Sequence, residues 1–311
     1  MDTRLHMENT PTGASVAVLP DAASLVEAAA GIVAEEARRV VEERGRFSLA
    51  LAGGSTPRPV YRLLAAPPFA AEMPWRQTEV FWGDERCVDP TDSRSNERMA
   101  REALLDHVPI PAEQIHPMRC TGLGVAGTGG AVRYGEAVAG RAADDYERLL
   151  RSRFVEDDVA EGGAVKGGVA AAGVAVAGTQ APGLDLVLLG MGDDGHTASL
   201  FPGSAVLDEQ ERWVASAQEA PATSAATSGT GERLWRVTLT VPFIDRAALV
   251  LFVVSGASKA AAVRGALQGE ADPHELPALA IRPPAGRLWW LLDRAAASQL
   301  RSGGPWGRTI S

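Results

Sequence analysis

Short, unbroken apolar runs recur along this chain and stop at glycines or small residues. Phe47–Ala52 ends in Gly53-Gly54, Leu184–Leu189 is rich in Leu and Val and ends in Gly190, and Ala248–Val254 ends in Ser255-Gly256. A strand with one wet face alternates apolar and polar residues, whereas a run without alternation is covered on both faces, as in the centre of a parallel sheet. Val80–Trp82, Leu234–Thr240 and Leu288–Leu292 read as further strands, and Val16–Leu19 opens the series. Between them lie helical patterns. Asp21 can cap a helix with Leu25, Ala29, Ile32, Val33, Val40 and Val41 at helical spacing. Pro57 suits the first turn of a helix carrying Val60, Leu63 and Leu64, and Asn96–Leu105 and Ser258–Leu267 read as two more. This alternation predicts an α/β fold: a doubly wound, mostly parallel sheet with helices on both faces, Rossmann-like in layout.

A chain of 311 residues can form one large domain or two ordinary ones. Three stretches break the pattern, at 121–140, 161–182 and 218–231; the first two are rich in Gly, Ala and Val and the third in Ala, Ser and Thr. None has the length or periodicity of a domain, so residues 1–311 are expected to form a single domain with surface insertions. The net charge of -9 argues against a nucleic-acid surface, which needs a basic patch. Only Cys87 and Cys120 are present, too few to staple such a chain and not spaced as a metal knuckle; they read as incidental and make a reducing compartment the default. The polar first twelve residues lack a leader's apolar run and no stretch is long enough for a membrane span, so a cytoplasmic location is expected.

Four segments at strand ends carry chemistry. Gly53-Gly54-Ser55-Thr56-Pro57 joins a strand to a helix start, where backbone N–H groups, two hydroxyls and the helix dipole suit a phosphate; the same loop also reads as an ordinary tight turn. In Trp82-Gly83-Asp84-Glu85-Arg86, Arg86 can clamp an anion while Asp84 and Glu85 orient it or bind sugar hydroxyls, and a surface salt-bridge cluster is the competing reading. Gly190-Met191-Gly192-Asp193-Asp194-Gly195-His196 follows the most strand-like run and is the most informative. Its glycines allow close backbone approach, His196 is placed as a base working near neutral pH, and Asp194 can orient the ring. Ser255-Gly256-Ala257-Ser258-Lys259 puts a lysine in a first helical turn, against the dipole; a bound anion would resolve the conflict, and an exposed lysine is the alternative. No His, Cys and carboxylate set has metal-ligand spacing, and a serine-nucleophile elbow is absent, so neither a metal nor a cofactor is expected.

In this order the segments resemble the 6-phosphogluconolactonases, which share a fold with glucosamine-6-phosphate deaminases and isomerases. The similarity rests on Ala52–Pro57, Phe81–Arg86, Asp185–Gly203, Arg236–Pro242, Ser255–Ala260 and Trp289–Ala296. Ser199-Leu200-Phe201-Pro202-Gly203 after the histidine is lactonase-like, where deaminases carry an Asn-Glu-Pro element. The resemblance implies hydrolysis of 6-phospho-D-glucono-1,5-lactone in the oxidative pentose phosphate pathway. His196 is then the catalytic base and Asp194 its supporting acid. Gly53, Gly54, Ser55, Thr56, Arg86 and Lys259 hold the substrate phosphate, and Asp84, Glu85 and Arg236 are further contacts. Asp245 stands where the family often has Asn, which touches a substrate contact.

Two rival readings keep the fold. An amino-sugar phosphate deaminase or isomerase would use the same site, but the residues after His196 disfavour it. A sugar-phosphate sensor in transcription would need a DNA-binding segment, and the residues before Val16 are too few and carry no basic cluster. The expected partner is a small phosphosugar lactone, with neither nucleic acid nor membrane, on a monomer or homodimer.

Overall fold

The computed structural model describes residues 7–10, 13–122, 124–126, 132–154, 183–218, 233–269 and 271–301. The insertion expected at 161–182 and nearly all of that at 218–231 lie outside these residues.

The helix Ala22–Arg44 starts where its sequence says it should. The Asp21 side chain accepts a hydrogen bond from Ser24 N at 2.8 Å, and Gly45 closes the helix in the left-handed region (φ 77°), its N–H donating to Val41 O. Leu25, Ala29, Ile32, Val33 and Val40 form its buried face. The strands, in chain order, are β1 (Glu8–Asn9), β2 (Ser15–Leu19), β3 (Phe47–Leu51), β4 (Thr78–Trp82), β5 (Asp84–Arg86), β6 (Val125–Ala126), β7 (Val132–Arg133), β8 (Leu186–Leu189), β9 (Val214–Gln218), β10 (Trp235–Leu239), β11 (Leu249–Val254) and β12 (Arg287–Asp293).

Seven of them form one sheet in the order β1-β2-β12-β11-β8-β3-β4, parallel throughout except for the short edge strand β1. Every residue of β3, β8 and β11 is buried, as their unbroken apolar sequences require. Phe252 and Trp290 stack across β11 and β12 with centroids 3.9 Å apart, and truncating either would cost about 3–5 kcal/mol. From β3 the chain steps outward to β4 at the sheet edge and later returns to β8 on the other side of β3. The order therefore reverses between β3 and β8, and the loops leaving these two strands part to open a crevice, the place where open α/β sheets bind ligands.

Four features differ from the sequence reading. Trp235–Leu239 does not join the main sheet: β10 is the middle strand of a small antiparallel sheet, β5-β10-β9. Its alternation puts Arg236 and Thr238 on one face and Val237 and Leu239 on the other, and all four are buried. A 19-residue helix, Glu136–Phe154, packs against β9 and β10; its first turn overlaps the stretch read as an insertion at 121–140, which also holds the β6–β7 hairpin. Cys87 and Cys120, read as incidental, are joined in a disulfide with Cα atoms 5.2 Å apart. Their 33-residue separation is spanned because the segment carrying Cys120 folds back along β4, where His116 N donates to Val80 O at 2.8 Å. The cysteine count thus does not decide the compartment. Finally, the helix after β11 is a 3-10 turn, Ala257–Lys259, followed by Ala260–Gln268. Among the described residues no helix is long and apolar enough to cross a membrane.

Candidate active site

A cleft of about 250 Å³ opens at the C-terminal ends of β3, β4, β8 and β11. Gly53, Gly54, Ser55 and Thr56 after β3 line it, as do Asp84 and Arg86 of β5, His196 after β8, Arg236 of β10, and Lys259 after β11. Five segments scattered over two hundred residues are thereby brought together by the order of the main sheet and the pairing of β5 with β10.

His196 sits on a tight loop. Its Nδ1 lies 2.6 Å from Asp194 Oδ1, which also accepts the His196 backbone N–H at 3.2 Å. A carboxylate at Nδ1 fixes the proton there and leaves Nε2 as the basic nitrogen. Burial pushes the Asp194 carboxyl up, but the hydrogen bonds and charge of His196 outweigh it and hold the group below the usual carboxylate range. The loop demands glycine at one point above all: a Cβ on Gly192 would overlap both His196 Nδ1 and Asp194 Oδ1. Phe201 packs beside the imidazole with centroids 5.1 Å apart.

Across the cleft, the helix Pro57–Leu64 begins with Thr56 and has no side-chain cap, unlike the helices capped by Asp21 and Ser95. Pro57 and Pro59 carry no N–H, so the donors facing an anion there are the Arg58 amide and those of Gly54, Ser55 and Thr56 in the loop before it. Arg86 is held by Nη1, which donates to Asn96 Oδ1 and, at 3.1 Å, to Arg94 O. Register places Arg236 directly opposite Arg86 and Thr238 opposite Asp84. Two guanidinium groups on facing residues repel one another and favour an anion between them. Arg236 also lies over the Phe201 ring, 5.9 Å from its centroid.

The two acids of the Asp84-Glu85 pair part company. Asp84 lines the cleft, its Oδ2 accepting from Ser199 Oγ at 2.6 Å and its Oδ1 from Asn96 Nδ2 at 3.2 Å. Glu85, expected as a substrate contact, does not line the cleft. It is 5% exposed and accepts hydrogen bonds from the backbone N–H groups of Arg86, Asn96 and Glu97 and from Ser95 Oγ. Alternation along β5 turns it away from its neighbours, into the scaffold that seats the helix Asn96–Ala103. Burial pushes this carboxyl up to about 7, against the pull of its N–H donors and of Arg86. Asp245 lies at the other end of the sheet, before β11, where it accepts from Arg282 N at 2.8 Å; it is no part of the cleft.

Lys259 meets an anion already present in the chain. Its Nζ pairs with Asp193 Oδ1, which also accepts from Ser258 Oγ at 3.1 Å. The loop itself is tied down by Asp293 at the end of β12, which accepts from Ser255 Oγ, Gly256 N and Ala296 N. Asn96 and Ser199 were not singled out in the sequence. Asn96 carries no local signal beyond following a cap residue. Ser199 lies inside the quoted histidine segment, but its use on Asp84, 115 residues away, is a tertiary fact. Among the described residues no three His, Cys, Asp or Glu side chains gather as a metal site.

Fold and cleft together define a doubly wound α/β protein that sets a His–Asp pair against a cationic, amide-rich wall at its switch point. The chain belongs to the glucosamine-6-phosphate isomerases/6-phosphogluconolactonase family, whose model matches residues 20–290. A 6-phosphogluconolactonase of a Nostoc species is 37% identical over 286 residues, 92% of this chain and 98% of the relative. One from Mycobacterium tuberculosis is 35% identical over 288 residues, 93% of this chain and 99% of the relative. The solved 6-phosphogluconolactonase of Trypanosoma brucei superposes with a TM-score of 0.74 at 29% identity, covering 95% of this chain and all of that one.

Proposed function

We propose that this protein hydrolyses 6-phospho-D-glucono-1,5-lactone to 6-phospho-D-gluconate, a step of the oxidative pentose phosphate pathway, with His196 as general base. The observation that carries the reading is the presence, in one cleft, of an oriented imidazole and a separate anion-binding wall. The relatives named for this activity match over nearly the whole chain.

The substrate phosphate binds at the uncapped start of the helix Pro57–Leu64, against Gly53, Gly54, Ser55 and Thr56, with Arg86 and Lys259 supplying charge. Arg236 and Asp84 contact the sugar. Anchoring the phosphate positions the ring with its carbonyl carbon at His196, so phosphate binding serves orientation more than chemistry. His196 Nε2 removes a proton from a water as the water oxygen bonds to the carbonyl carbon. The tetrahedral intermediate then collapses, the bond from that carbon to the ring oxygen breaks, and the imidazolium returns its proton to the departing oxygen. Asp194 stabilises the imidazolium between the two transfers. Ser199, first residue of the segment that resembles lactonases rather than deaminases, holds Asp84 in place.

The test is acid release from freshly generated 6-phosphogluconolactone, compared with spontaneous hydrolysis and with ammonia release from glucosamine 6-phosphate. Acceleration on the lactone alone is expected. Ammonia release without lactone turnover would assign the site to the deaminase branch.

A further inference from the structure

We propose that Asp193 is a specificity-determining residue of the cleft: a carboxylate of the chain that competes with the ligand's phosphate for Lys259 and so sets how tightly phosphorylated ligands are held. The inference rests on the reading above that Lys259 binds phosphate.

Lys259 and Asp193 stand on the loops after β11 and β8, two strands paired side by side, and their ion pair ties one loop to the other. Lys259 lines the cleft, whereas Asp193 does not; it reaches the ammonium from the rim, with its side chain 44% exposed. Lys259 is one of only two lysines in the sequence, while the other cleft cations, Arg86 and Arg236, are arginines. That chemistry matters here. A guanidinium offers a rigid fork, but an ammonium is a point charge on a flexible stem and can turn from one anion to another.

The groups facing the pair are Ser258, whose Oγ donates to the same Asp193 oxygen, and Asp194, whose like charge repels that of Asp193. The Lys259 hydrogen bond and charge hold Asp193 below the usual carboxylate range despite some burial, so it is an anion wherever the enzyme works. A phosphate dianion arriving at Lys259 meets that anion. It must take the ammonium from Asp193 or share it, and either way binding is weakened by the carboxylate. The hydrolysis product carries the same phosphate, so the competition loosens its hold as well.

The experiment is calorimetric titration of inorganic phosphate, 6-phosphogluconate and gluconate into wild type, Asp193→Asn, Lys259→Met and the double variant at low ionic strength. Asp193→Asn should bind both phosphorylated ligands about 2- to 5-fold more tightly, the scale of a partly exposed ion pair. The lactone KM should fall by the same factor with no rise in kcat. In the Lys259→Met background the substitution should change nothing, and gluconate should be indifferent to it. Unchanged or weaker phosphate binding by Asp193→Asn would overturn the proposal and make Asp193 a support for Lys259. Equal tightening in the Lys259→Met background, or equal tightening of gluconate, would overturn it in favour of a general field effect. If Lys259→Met binds phosphate as wild type does, the reading of Lys259 itself fails, an outcome distinct from failure of Asp193 alone.

Discussion

Strand β8 has aspartates at both ends, and they live in opposite circumstances. At its start Asp185 is 8% exposed and saturated: it accepts from Ser48 N at 2.7 Å and Ser48 Oγ at 2.9 Å, and pairs with Arg44. At its finish Asp194 has its side chain 45% exposed and spends one oxygen on the His196 ring and backbone. Asp185 clamps β8 to β3 at the end of the sheet away from the cleft, and its partners are the chain itself. Asp194 stands behind a cleft that its partner His196 lines, and that partner is a group able to take and return a proton. Charge at a strand end is thus no guide to function by itself. The difference lies in whether the surrounding chain has used up the carboxylate or left its partner with work to do.

Substitutions at these ends should separate cleanly. Asp194→Asn keeps the shape of the loop but offers Nδ1 no anion, so kcat should fall by about 10²-fold or more while the melting temperature stays near that of wild type. A melting temperature lowered in proportion to the lost activity would make Asp194 another Asp185. At the opposite end, Asp185→Ala leaves Ser48 N–H and hydroxyl without their acceptor and should lower stability by about 2–4 kcal/mol in urea unfolding. The folded fraction should turn over substrate within about 2-fold of wild type, the margin expected for a site that is not touched.

Asp245 sharpens the contrast most finely, since it too lies at the closed end but is poorly compensated. Burial pushes its carboxyl up to about 6, above the usual carboxylate range, with Arg282 opposing. A carboxyl raised in the folded state contributes stability below about pH 4 and loses it as pH rises through about 6. Asp245→Asn keeps the acceptor for Arg282 N and should be more stable than wild type by about 1–2 kcal/mol at pH 7.5, discounted for partial exposure, and nearly equal to it at pH 4. Activity should not change at either pH. A shift in KM would return Asp245 to the substrate contacts from which its position removes it.

The legible part of this molecule is the part governed by local rules. Unbroken runs announced β3, β8 and β11 as buried parallel strands, Asp21 announced the start of its helix, and glycines at strand ends announced the loops of the cleft. What escaped is set by distant pairing. Trp235–Leu239 has a strand's pattern, but only its partners decide that it crosses β5 and puts Arg236 opposite Arg86. Cys87 and Cys120 meet because a segment folds back along β4. The conflict of Lys259 with its helix dipole was visible in the sequence, yet its resolution came from Asp193, 66 positions earlier, and not from an external anion alone.

On the proposal above, His196 performs the proton transfers while a separate wall holds the phosphate. The most direct test is His196→Ala, assayed on freshly generated lactone and titrated with 6-phosphogluconate in parallel. The expected result is a loss of about 10²- to 10⁴-fold in kcat with the dissociation constant within about 2-fold of wild type. Turnover retained at the wild-type rate would contradict it and move the base elsewhere in the cleft.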